Sequence, residues 1–254
     1  ACCDFLHSGV DDVGYLSSLI DAIGMQLTVD DRRVYVAGHS NGGFMSYRMA
    51  CERPEMVAAI ASLAGATWKD PADCAPSSAV HVLQIHGTND NVILYNGGAL
   101  NGVPYPGAIE SVEQWAGYAG CSLLPVTNLP PLDLDASIPG AESTIRRYAD
   151  LCDPEGTGEL WTNVGGSHSP NLSSSFARLV VEYLLAHPKP DPASTPETAS
   201  VHPMLTVSPQ PFSQSCRIAL RHTSFTAENF QTPLQVGIFD AGGRRLVSLP
   251  FTAG

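Results

Sequence analysis

Apolar residues in the first 187 positions follow two periods, one typical of buried strands and one typical of amphipathic helices. Short apolar runs predict strands over Arg33–Ala37, Val57–Leu63, Val80–Ile85, Thr144–Tyr148 and Glu159–Val164. Amphipathic segments predict helices over residues 12–25, Asn41–Cys51, Ile109–Tyr118 and Ser173–Ala186. Because strands alternate with helices, the pattern predicts a mostly parallel sheet covered on both faces, which is an α/β fold.

The first predicted helix can be capped by Asp11 or Asp12 and carries one apolar stripe. That stripe consists of Val13, Leu16, Leu19, Ile20 and Ile23. A stripe at this spacing is expected to pack against the body of the domain.

A proline-rich segment at residues 188–203 divides the chain into two regions. Its prolines are separated by Ser, Thr and Asp, a composition typical of a semi-rigid, solvated linker. The predicted organisation is therefore an α/β domain at residues 1–187, a linker at 188–203 and a small β module at 204–254. In that module, apolar alternation on both sides of Asp240–Gly243 predicts a β-hairpin.

The formal net charge is −12, from 25 acidic and 13 basic residues, and no Lys/Arg cluster is present. This balance argues against nucleic acid and anionic membrane surfaces as partners. No apolar run approaches the roughly 18 residues that span a bilayer. The chain begins with Ala1 and shows no signal-peptide pattern, so we interpret it as a mature product or a fragment.

Seven cysteines in a lysine-poor chain indicate an oxidising compartment, and hence secretion. The alternatives are buried free thiols or a zinc site. The spacing of Cys2, Cys3, Cys51, Cys74, Cys121 and Cys152 does not match zinc-ligand motifs. We therefore expect disulfides, and no metal or cofactor is implied.

The segment Gly38–Gly43 reads Gly-His-Ser-Asn-Gly-Gly and stands between a predicted strand and a predicted helix. That is the setting of a Gly-x-Ser-x-Gly nucleophile elbow, in which glycines flank the serine because the turn is tight. Ser40 is the candidate nucleophile, and the N–H of Asn41 is the candidate oxyanion donor. The simpler interpretation is a glycine-rich turn with a capping serine.

A serine nucleophile needs a base that is oriented by a carboxylate, and this class presents them in the order Ser, Asp, His. Asp90 is the first acidic residue beyond the predicted strand Val80–Ile85, although it could simply cap a turn. It is our candidate acid. Weaker alternatives, in less strand-like surroundings, are Asp133, Asp135, Asp150 and Asp153.

His168 follows the last predicted strand of the domain after Gly165-Gly166-Ser167, and it is the candidate base, with His81 and His86 as competitors. His81 lies inside a strand and is expected to be a core histidine. His86 ends a strand, and we expect it to line the substrate site together with His39. Exposed positions are expected for His7, His187, His202 and His222.

Residues 1–187 resemble the extracellular esterases related to polyhydroxybutyrate depolymerase, feruloyl esterase and acetyl xylan esterase. The matching segments are Cys2-Cys3, Ser8–Gly14, Arg33–Gly43, Met49–Cys51, Pro54, Ala64–Ala66, His86–Asp90 and Gly165–His168. The resemblance implies an α/β-hydrolase fold and a Ser–His–Asp triad. Its motif positions fall on Ser40, Asp90 and His168.

Two departures from that family affect the expectations. Such proteins usually begin with several strands and a Leu-His-Gly-type loop that supplies a second oxyanion donor, and nothing here corresponds to them. The resemblance therefore implies an unpaired edge at strand Arg33–Ala37 and a poorly active chain, since losing one such donor costs ~10²–10³-fold in rate. Ser169-Pro170-Asn171 also replaces a Trp-Pro-Gly-like stretch, which removes an aromatic surface for substrate.

The resemblance also implies disulfide pairings. Cys121 is expected to pair with Cys152, whereas Cys2 and Cys3 would pair with Cys51 and Cys74 in either order. Cys216 is then left over, outside the catalytic domain.

Residues 204–254 resemble the immunoglobulin-like C-terminal sorting module of type IX secreted proteins, through Pro209, Pro211, Phe212 and the Phe239-Asp240 turn. This resemblance implies the secretion machinery as a partner and a chain that stops before the last strand of the module. The alternative is a β-sandwich accessory domain that binds polysaccharide.

The leading functional hypothesis is a secreted serine esterase that hydrolyses esters of an extracellular polymer through an acyl-serine. Feruloyl or acetyl plant-wall esters are favoured over polyhydroxyalkanoate because modular tails suit polysaccharide-degrading secretomes. The alternatives are a non-catalytic binding or adhesion protein on a hydrolase fold and a serine peptidase of the same fold. Peptide anilides would be cleaved only by the peptidase.

Overall fold

The computed structural model describes residues 9–191 and four strands in the remainder of the chain. Two compact units are present, residues 1–194 and residues 195–254. The first unit contains the helices α1 (Asp12–Gln26), α2 (Asn41–Glu52), α3 (Ala108–Tyr118) and α4 (Phe176–Ala186). Its strands are β1 (Tyr35–His39), β2 (Ala59–Leu63), β3 (His81–Gly87), β4 (Gly97–Leu100), β5 (Val103–Pro106), β6 (Ser143–Tyr148) and β7 (Gly158–Asn163).

Five of these strands form one sheet in the order β1-β2-β3-β7-β6. The first four are parallel, and β6 runs antiparallel to β7. In the register, His39 lies opposite Leu63, and Gly87 lies opposite Asn163. The carboxyl ends of β1, β2, β3 and β7 therefore meet at one edge of the sheet. The predicted α/β class is confirmed.

Helices cover both faces of the sheet, as buried parallel strands require. On one face, Ile60 and Val82 pack with α2 and with Trp115 of α3. On the other face, Leu83 and Trp161 pack against α4. Because side chains alternate along a strand, neighbouring residues of β3 face opposite helix layers. The apolar runs predicted as strands are thus buried on both sides.

Helix α1 uses only part of its predicted apolar stripe. Asp11 caps the helix by accepting a hydrogen bond from Gly14 N at 2.8 Å. Val13 is buried, but Leu19 and Ile23 are 43% and 44% exposed. Strand β1 likewise lies at the edge of the sheet and pairs only with β2 among the described residues. Among the described residues, this end of the first unit therefore has exposed apolar side chains and a strand edge with no paired neighbour.

The β4–β5 hairpin was not predicted from the pattern. Its strands are short and pair antiparallel around Asn101-Gly102, whose φ angles are 51° and 81°. Asn-Gly is the dipeptide that two-residue hairpin turns favour, because both central residues need positive φ. The turn signal was present, but the flanking residues carry too little apolar alternation to predict strands.

Two disulfides lie among the described residues. Cys121 and Cys152 are joined, which is the pairing that the resemblance implies. Cys51 is joined to Cys74, so the expected pairing of these two residues with Cys2 and Cys3 is wrong. Packing explains the difference, because Cys74 lies in the same buried cluster as α2, the helix that ends beside Cys51. Cys2, Cys3 and Cys216 lie outside the described residues.

The first residues of the predicted linker are held by the first unit. Lys189 N donates to Arg32 O at 2.9 Å, and Lys189 Nζ donates to Pro54 O at 2.7 Å. Asp191 lies 3.5 Å from Arg32 in an ion pair. The chain is therefore anchored up to residue 191, and residues 192–203 lie outside the described part.

The second unit is described through four strands, β8 (Met204–Ser208), β9 (Arg217–Arg221), β10 (Gln235–Phe239) and β11 (Arg245–Pro250). They form two antiparallel pairs, β8 with β9 and β10 with β11. The predicted hairpin strands thus pair with each other, while the residues Asp240–Gly243 between them lie outside the description. The sorting-module resemblance stays a prediction.

His81 is a buried core histidine at the amino end of β3. It is 6% exposed, and its Nδ1 lies 2.9 Å from Thr157 Oγ1. Burial, together with the charges of His187 and Lys189, lowers the pKa of His81 to about 3. His187 was expected to be exposed, but it is half-buried with its ring 4.7 Å from that of His81.

We predict that His81 makes the fold sensitive to acid. An unfolded histidine titrates near pH ~6.5. Below that pH the unfolded state binds a proton that the folded state accepts only near pH 3. The free energy of unfolding should therefore fall as the pH drops through this window, by up to about 1.4 kcal/mol per pH unit. Urea unfolding of the parent protein and of His81→Gln at several pH values measures the difference. The prediction is wrong if the free energy of unfolding falls with decreasing pH equally steeply in the two proteins.

Candidate active site

The three residues predicted to work together follow three parallel strands that end at one edge of the sheet. Ser40 follows β1 directly, Asp90 lies three residues beyond β3, and His168 lies five residues beyond β7. Loops at the carboxyl ends of parallel strands are where ligands bind in open α/β sheets. The topology therefore brings these side chains to one place, although they are far apart in the sequence.

Ser40 occupies a strained backbone conformation, with φ 55° and ψ −116°. A positive φ is uncommon for a residue with a Cβ and marks a conformation that the surroundings impose. Ser40 N donates to Leu63 O at 2.8 Å, and Ser40 O accepts from Phe44 N at 3.1 Å as α2 begins. The strand and the helix thus hold the serine in a sharp turn between them.

The glycines around Ser40 do not share one role. A Cβ at Gly38 would lie 2.3 Å from the carbonyl carbon of Gly42, so the turn requires glycine at position 38. A Cβ at Gly43 would lie 2.7 Å from Ser62 Oγ and would crowd the loop after β2. A Cβ at Gly42 would meet nothing within 4 Å. The expectation that steric crowding requires both motif glycines is therefore wrong for Gly42.

The side chains of Ser40, His168 and Asp90 form one hydrogen-bonded chain. His168 Nε2 lies 3.0 Å from Ser40 Oγ, and His168 Nδ1 lies 2.8 Å from Asp90 Oδ2. An ionised carboxylate can only accept, so Nδ1 carries the proton. Nε2 is then the acceptor, and it receives the hydroxyl proton of Ser40. This is the arrangement of a serine nucleophile with its base and an orienting acid.

Asp90 is buried and fully provided with hydrogen-bond donors. Oδ1 accepts from the backbone N–H groups of Val92 and Ile93, both at 2.9 Å. Oδ2 accepts from His168 and also lies 3.3 Å from His86 Nε2. Burial alone would raise the pKa of Asp90, but the hydrogen bonds from His86, His168 and the two backbone groups outweigh it and lower that pKa. The carboxylate is therefore charged at neutral pH.

The acid loop and the histidine loop are bonded directly to each other. Asn89 N donates to Gly166 O at 2.9 Å, and Gly165 N donates to Thr88 Oγ1 at 2.8 Å. A Cβ at Gly87 would lie 2.2 Å from Gly166 O, so the two backbones approach as closely as glycine permits. These contacts fix the separation of Asp90 and His168.

His39 and Asn41 flank Ser40 at the surface. His39 Nε2 donates to His168 O at 2.7 Å, and the two imidazole rings lie 4.9 Å apart. His39 is exposed beside the nucleophile and so could contact a substrate. Asn41 is the first residue of α2, where backbone N–H groups and the helix dipole favour negative charge. Their roles in substrate and oxyanion binding remain proposals.

His86 does not line a surface site, contrary to the expectation from its position at a strand end. It is 1% exposed and lies beneath Asp90, with Nε2 2.8 Å from Ile93 O. Gln84, which the sequence analysis missed, lies beside it and is completely buried. The sequence of the strand contained a signal that could have identified Gln84. Gln84 and His86 place two polar side chains on the same face of a buried strand.

Two of the alternative acids, Asp133 and Asp135, have other roles in the structure. Asp135 is buried, and it accepts hydrogen bonds from Ser137 Oγ at 2.5 Å and Asn163 Nδ2 at 3.5 Å. These hydrogen bonds lower its pKa against the effect of burial. Asp133 accepts from Ser173 and Ser175 through its backbone carbonyl. Neither forms a hydrogen bond or ion pair with His168, whereas Asp90 does.

Metal-binding clusters and membrane-spanning helices are both absent from the part of the chain that the structure describes. No group of three or more His, Cys, Asp and Glu side chains there could hold a metal ion. No helix there is long and apolar enough to cross a bilayer.

Curated proteins with related sequences are named as esterases. Feruloyl esterase B of Piromyces equi is 35% identical over 137 residues, which are 51% of this chain and 25% of that protein. Probable feruloyl esterase C of Aspergillus clavatus is 33% identical over 98 residues, which are 36% of this chain and 33% of that protein. The chain thus spans between a quarter and a third of the length of these relatives. No protein-family model matches it.

Among solved structures, the chain is similar to the acetyl xylan esterase from Aspergillus awamori. The TM-score is 0.47 at 17% sequence identity, and the match covers 68% of this chain and 66% of the other.

We predict that the two motif glycines respond differently to alanine. Gly38→Ala should lower the free energy of unfolding by about 1–3 kcal/mol, because the new methyl group meets backbone. Gly42→Ala should leave it unchanged or raise it by about 0.5–1 kcal/mol, since alanine suits a helix better. Chemical denaturation of both variants measures the contrast. Equal destabilisation would mean that the steric description of the elbow is incorrect.

Proposed function

We propose that this protein is a carboxylic ester hydrolase that works through an acyl-enzyme on Ser40. The observation that carries the proposal is the hydrogen-bonded chain Asp90–His168–Ser40 at the carboxyl edge of a parallel sheet. The esterase names of the related proteins support the reaction class. A decayed, non-catalytic hydrolase fold would not need all three groups in bonding geometry.

In the first half-reaction, Ser40 Oγ attacks the ester carbonyl carbon while His168 Nε2 takes the hydroxyl proton. The resulting imidazolium is stabilised by the charged carboxylate of Asp90 on its other side. His168 then gives the proton to the departing alcohol as the ester C–O bond breaks. Ser40 is left carrying the acyl group.

In the second half-reaction, water takes the place of the alcohol. His168 removes a proton from the water, the resulting hydroxide attacks the acyl carbon, and the Ser40 Oγ–carbon bond breaks. The proton returns to Ser40 and the carboxylic acid leaves. In both halves the negative oxygen of the tetrahedral intermediate would accept from Asn41 N–H at the start of α2, where the helix dipole favours it.

For the substrate, we propose esters of plant-wall polysaccharides. The name feruloyl esterase, which both reported sequence relatives carry, supports this class. A largely apolar cavity of about 170 Å³ lies between α2, the loop after β2 and the β4–β5 hairpin. Phe44, Trp68 and Tyr105 contribute to its lining, and Phe44 is one helical turn from Ser40. Aromatic walls of this kind suit an aromatic acyl group or a sugar face.

We further propose that the protein works outside the cell. Two disulfides among the described residues fit an oxidising compartment. In this proposal the β module at residues 204–254 engages the secretion machinery, and the polymeric ester is the partner of the first unit.

Substitution of Ser40 tests the reaction class. Ser40→Ala should lower hydrolysis of p-nitrophenyl acetate and methyl ferulate by ~10⁴-fold or more, because the acyl acceptor is lost. Ser18→Ala, which removes an exposed hydroxyl on α1, is the control and should keep the parent rate. Unchanged hydrolysis in Ser40→Ala would overturn the proposal, and cleavage of peptide anilides at comparable rates would indicate a peptidase.

Substitution of Trp68 tests the substrate class. Trp68→Ala should raise KM for methyl ferulate by ~10-fold, because one well-packed aromatic contact is worth roughly 1–1.5 kcal/mol. It should leave p-nitrophenyl acetate unaffected, since the acetyl group is too small to reach the cavity. Steady-state kinetics on the two substrates measures the difference. Parallel changes on both would argue that the cavity does not receive the acyl group.

A further inference from the structure

A buried chain of polar side chains runs beneath Asp90 and reaches the helix that follows Ser40. Tyr47 of α2 donates its hydroxyl proton to Gln84 Oε1 at 3.0 Å, and Gln84 Nε2 lies 3.1 Å from His86 Nδ1. His86 Nε2 then lies 3.3 Å from Asp90 Oδ2. Tyr47 and Gln84 are fully buried, and His86 is 1% exposed. The triad proposed above uses none of these three side chains.

The orientation of the Gln84 amide is fixed by two neighbours. Its Nε2 donates to Gly65 O at 2.8 Å, and a backbone carbonyl can only accept. Its Oε1 faces the hydroxyl of Tyr47. Burial raises the pKa of Tyr47, so this hydroxyl keeps its proton. Exchanging the amide oxygen and nitrogen would place two oxygens against each other at Gly65, which excludes the flipped arrangement.

The fixed amide in turn fixes the tautomer of His86. Gln84 Nε2 is a donor, so the neighbouring Nδ1 of His86 must be the unprotonated acceptor. The ring proton is therefore on Nε2. It forms a hydrogen bond to Ile93 O at 2.8 Å, and Asp90 Oδ2 lies 3.3 Å from the same nitrogen. His86 can place an N–H against Ile93 O and beside the carboxylate only while Gln84 holds this tautomer.

We propose that His86 is a positioning residue for catalysis, held as the Nε2–H tautomer by Gln84 so that it orients Asp90 towards His168. Because Tyr47 lies on α2, the same chain of polar side chains connects Asp90 to the helix that begins directly after Ser40. His86 Nε2 holds the carbonyl of Ile93, whose own N–H donates to Asp90 Oδ1, and the same nitrogen lies 3.3 Å from Oδ2. His86 therefore restricts rotation of the carboxylate that accepts from His168. The inference rests on the proposed role of Ser40.

The experiment compares substitutions that keep or remove the donor at the Nε2 position. His86→Gln places an amide nitrogen near that position, whereas His86→Asn is too short to reach Asp90 and His86→Phe has no donor. The readouts are kcat and KM for p-nitrophenyl acetate and the rate at which a fluorophosphonate probe labels Ser40. The labelling end point reports the folded fraction of each variant separately from this rate.

We expect His86→Phe and His86→Asn to lower kcat and the labelling rate by ~10²-fold with little change in KM, as misplaced catalytic groups do. His86→Gln should recover most of the loss. The matched control is His81, the other buried histidine of β3, which lies at the opposite end of the strand. His81→Phe and His81→Gln should label Ser40 at the parent rate even where they lower stability.

Two results would overturn the inference while leaving the proposed function intact. One is parent-like labelling in His86→Phe or His86→Asn, and the other is equal loss in His86→Asn and His86→Gln. If His86→Phe does not reach its labelling end point, that variant is not fully folded. The comparison of His86→Asn with His86→Gln then decides whether the inference holds. Failure of the unaltered protein to label at Ser40 would instead overturn the proposed function, and the inference with it.

Discussion

The candidate site depends on one buried carboxylate, that of Asp90. A charged group in the interior is costly unless its oxygens are fully hydrogen-bonded. Here two backbone N–H groups and His168 donate to it, His86 Nε2 lies 3.3 Å away, and together these groups hold its pKa low. The tautomer and direction of His168 follow from this carboxylate, and the acceptor for the Ser40 proton follows from His168.

The sheet positions the three loops that carry Ser40, Asp90 and His168. The matched register of β1, β2, β3 and β7 brings the ends of these strands level, so three loops meet above one edge. The loops are then fixed against one another, because glycine at position 87 lets the acid loop touch the backbone of the histidine loop. The strain at Ser40 is maintained by the same packing between strand and helix.

Local patterns were sufficient for the parts of the structure that depend on neighbours in sequence. The helices and the strands of the main sheet could be predicted from periodicity. Ser40, Asp90 and His168 could be chosen because each follows a predicted strand in a fixed chain order. The β4–β5 hairpin was missed because its apolar alternation is weak, although Asn101-Gly102 carries a turn signal.

Features that depend on packing between distant segments could not be predicted. The Cys51–Cys74 disulfide follows from the way the loop after β2 returns to the end of α2. The antiparallel direction of β6 leaves no signature in its own residues. His86 looked like a surface residue because strand ends usually open to solvent, and only the arrangement of the loops above it shows that it is covered.

The most direct test of the account is to trap the acyl group on the enzyme. The protein is mixed with p-nitrophenyl acetate, quenched in acid within the first turnover, digested and mapped by mass spectrometry. The account predicts acetylation of the peptide that contains Ser40, with none in His168→Ala treated in the same way. Ester hydrolysis that proceeds with Ser40 unmodified throughout would contradict it.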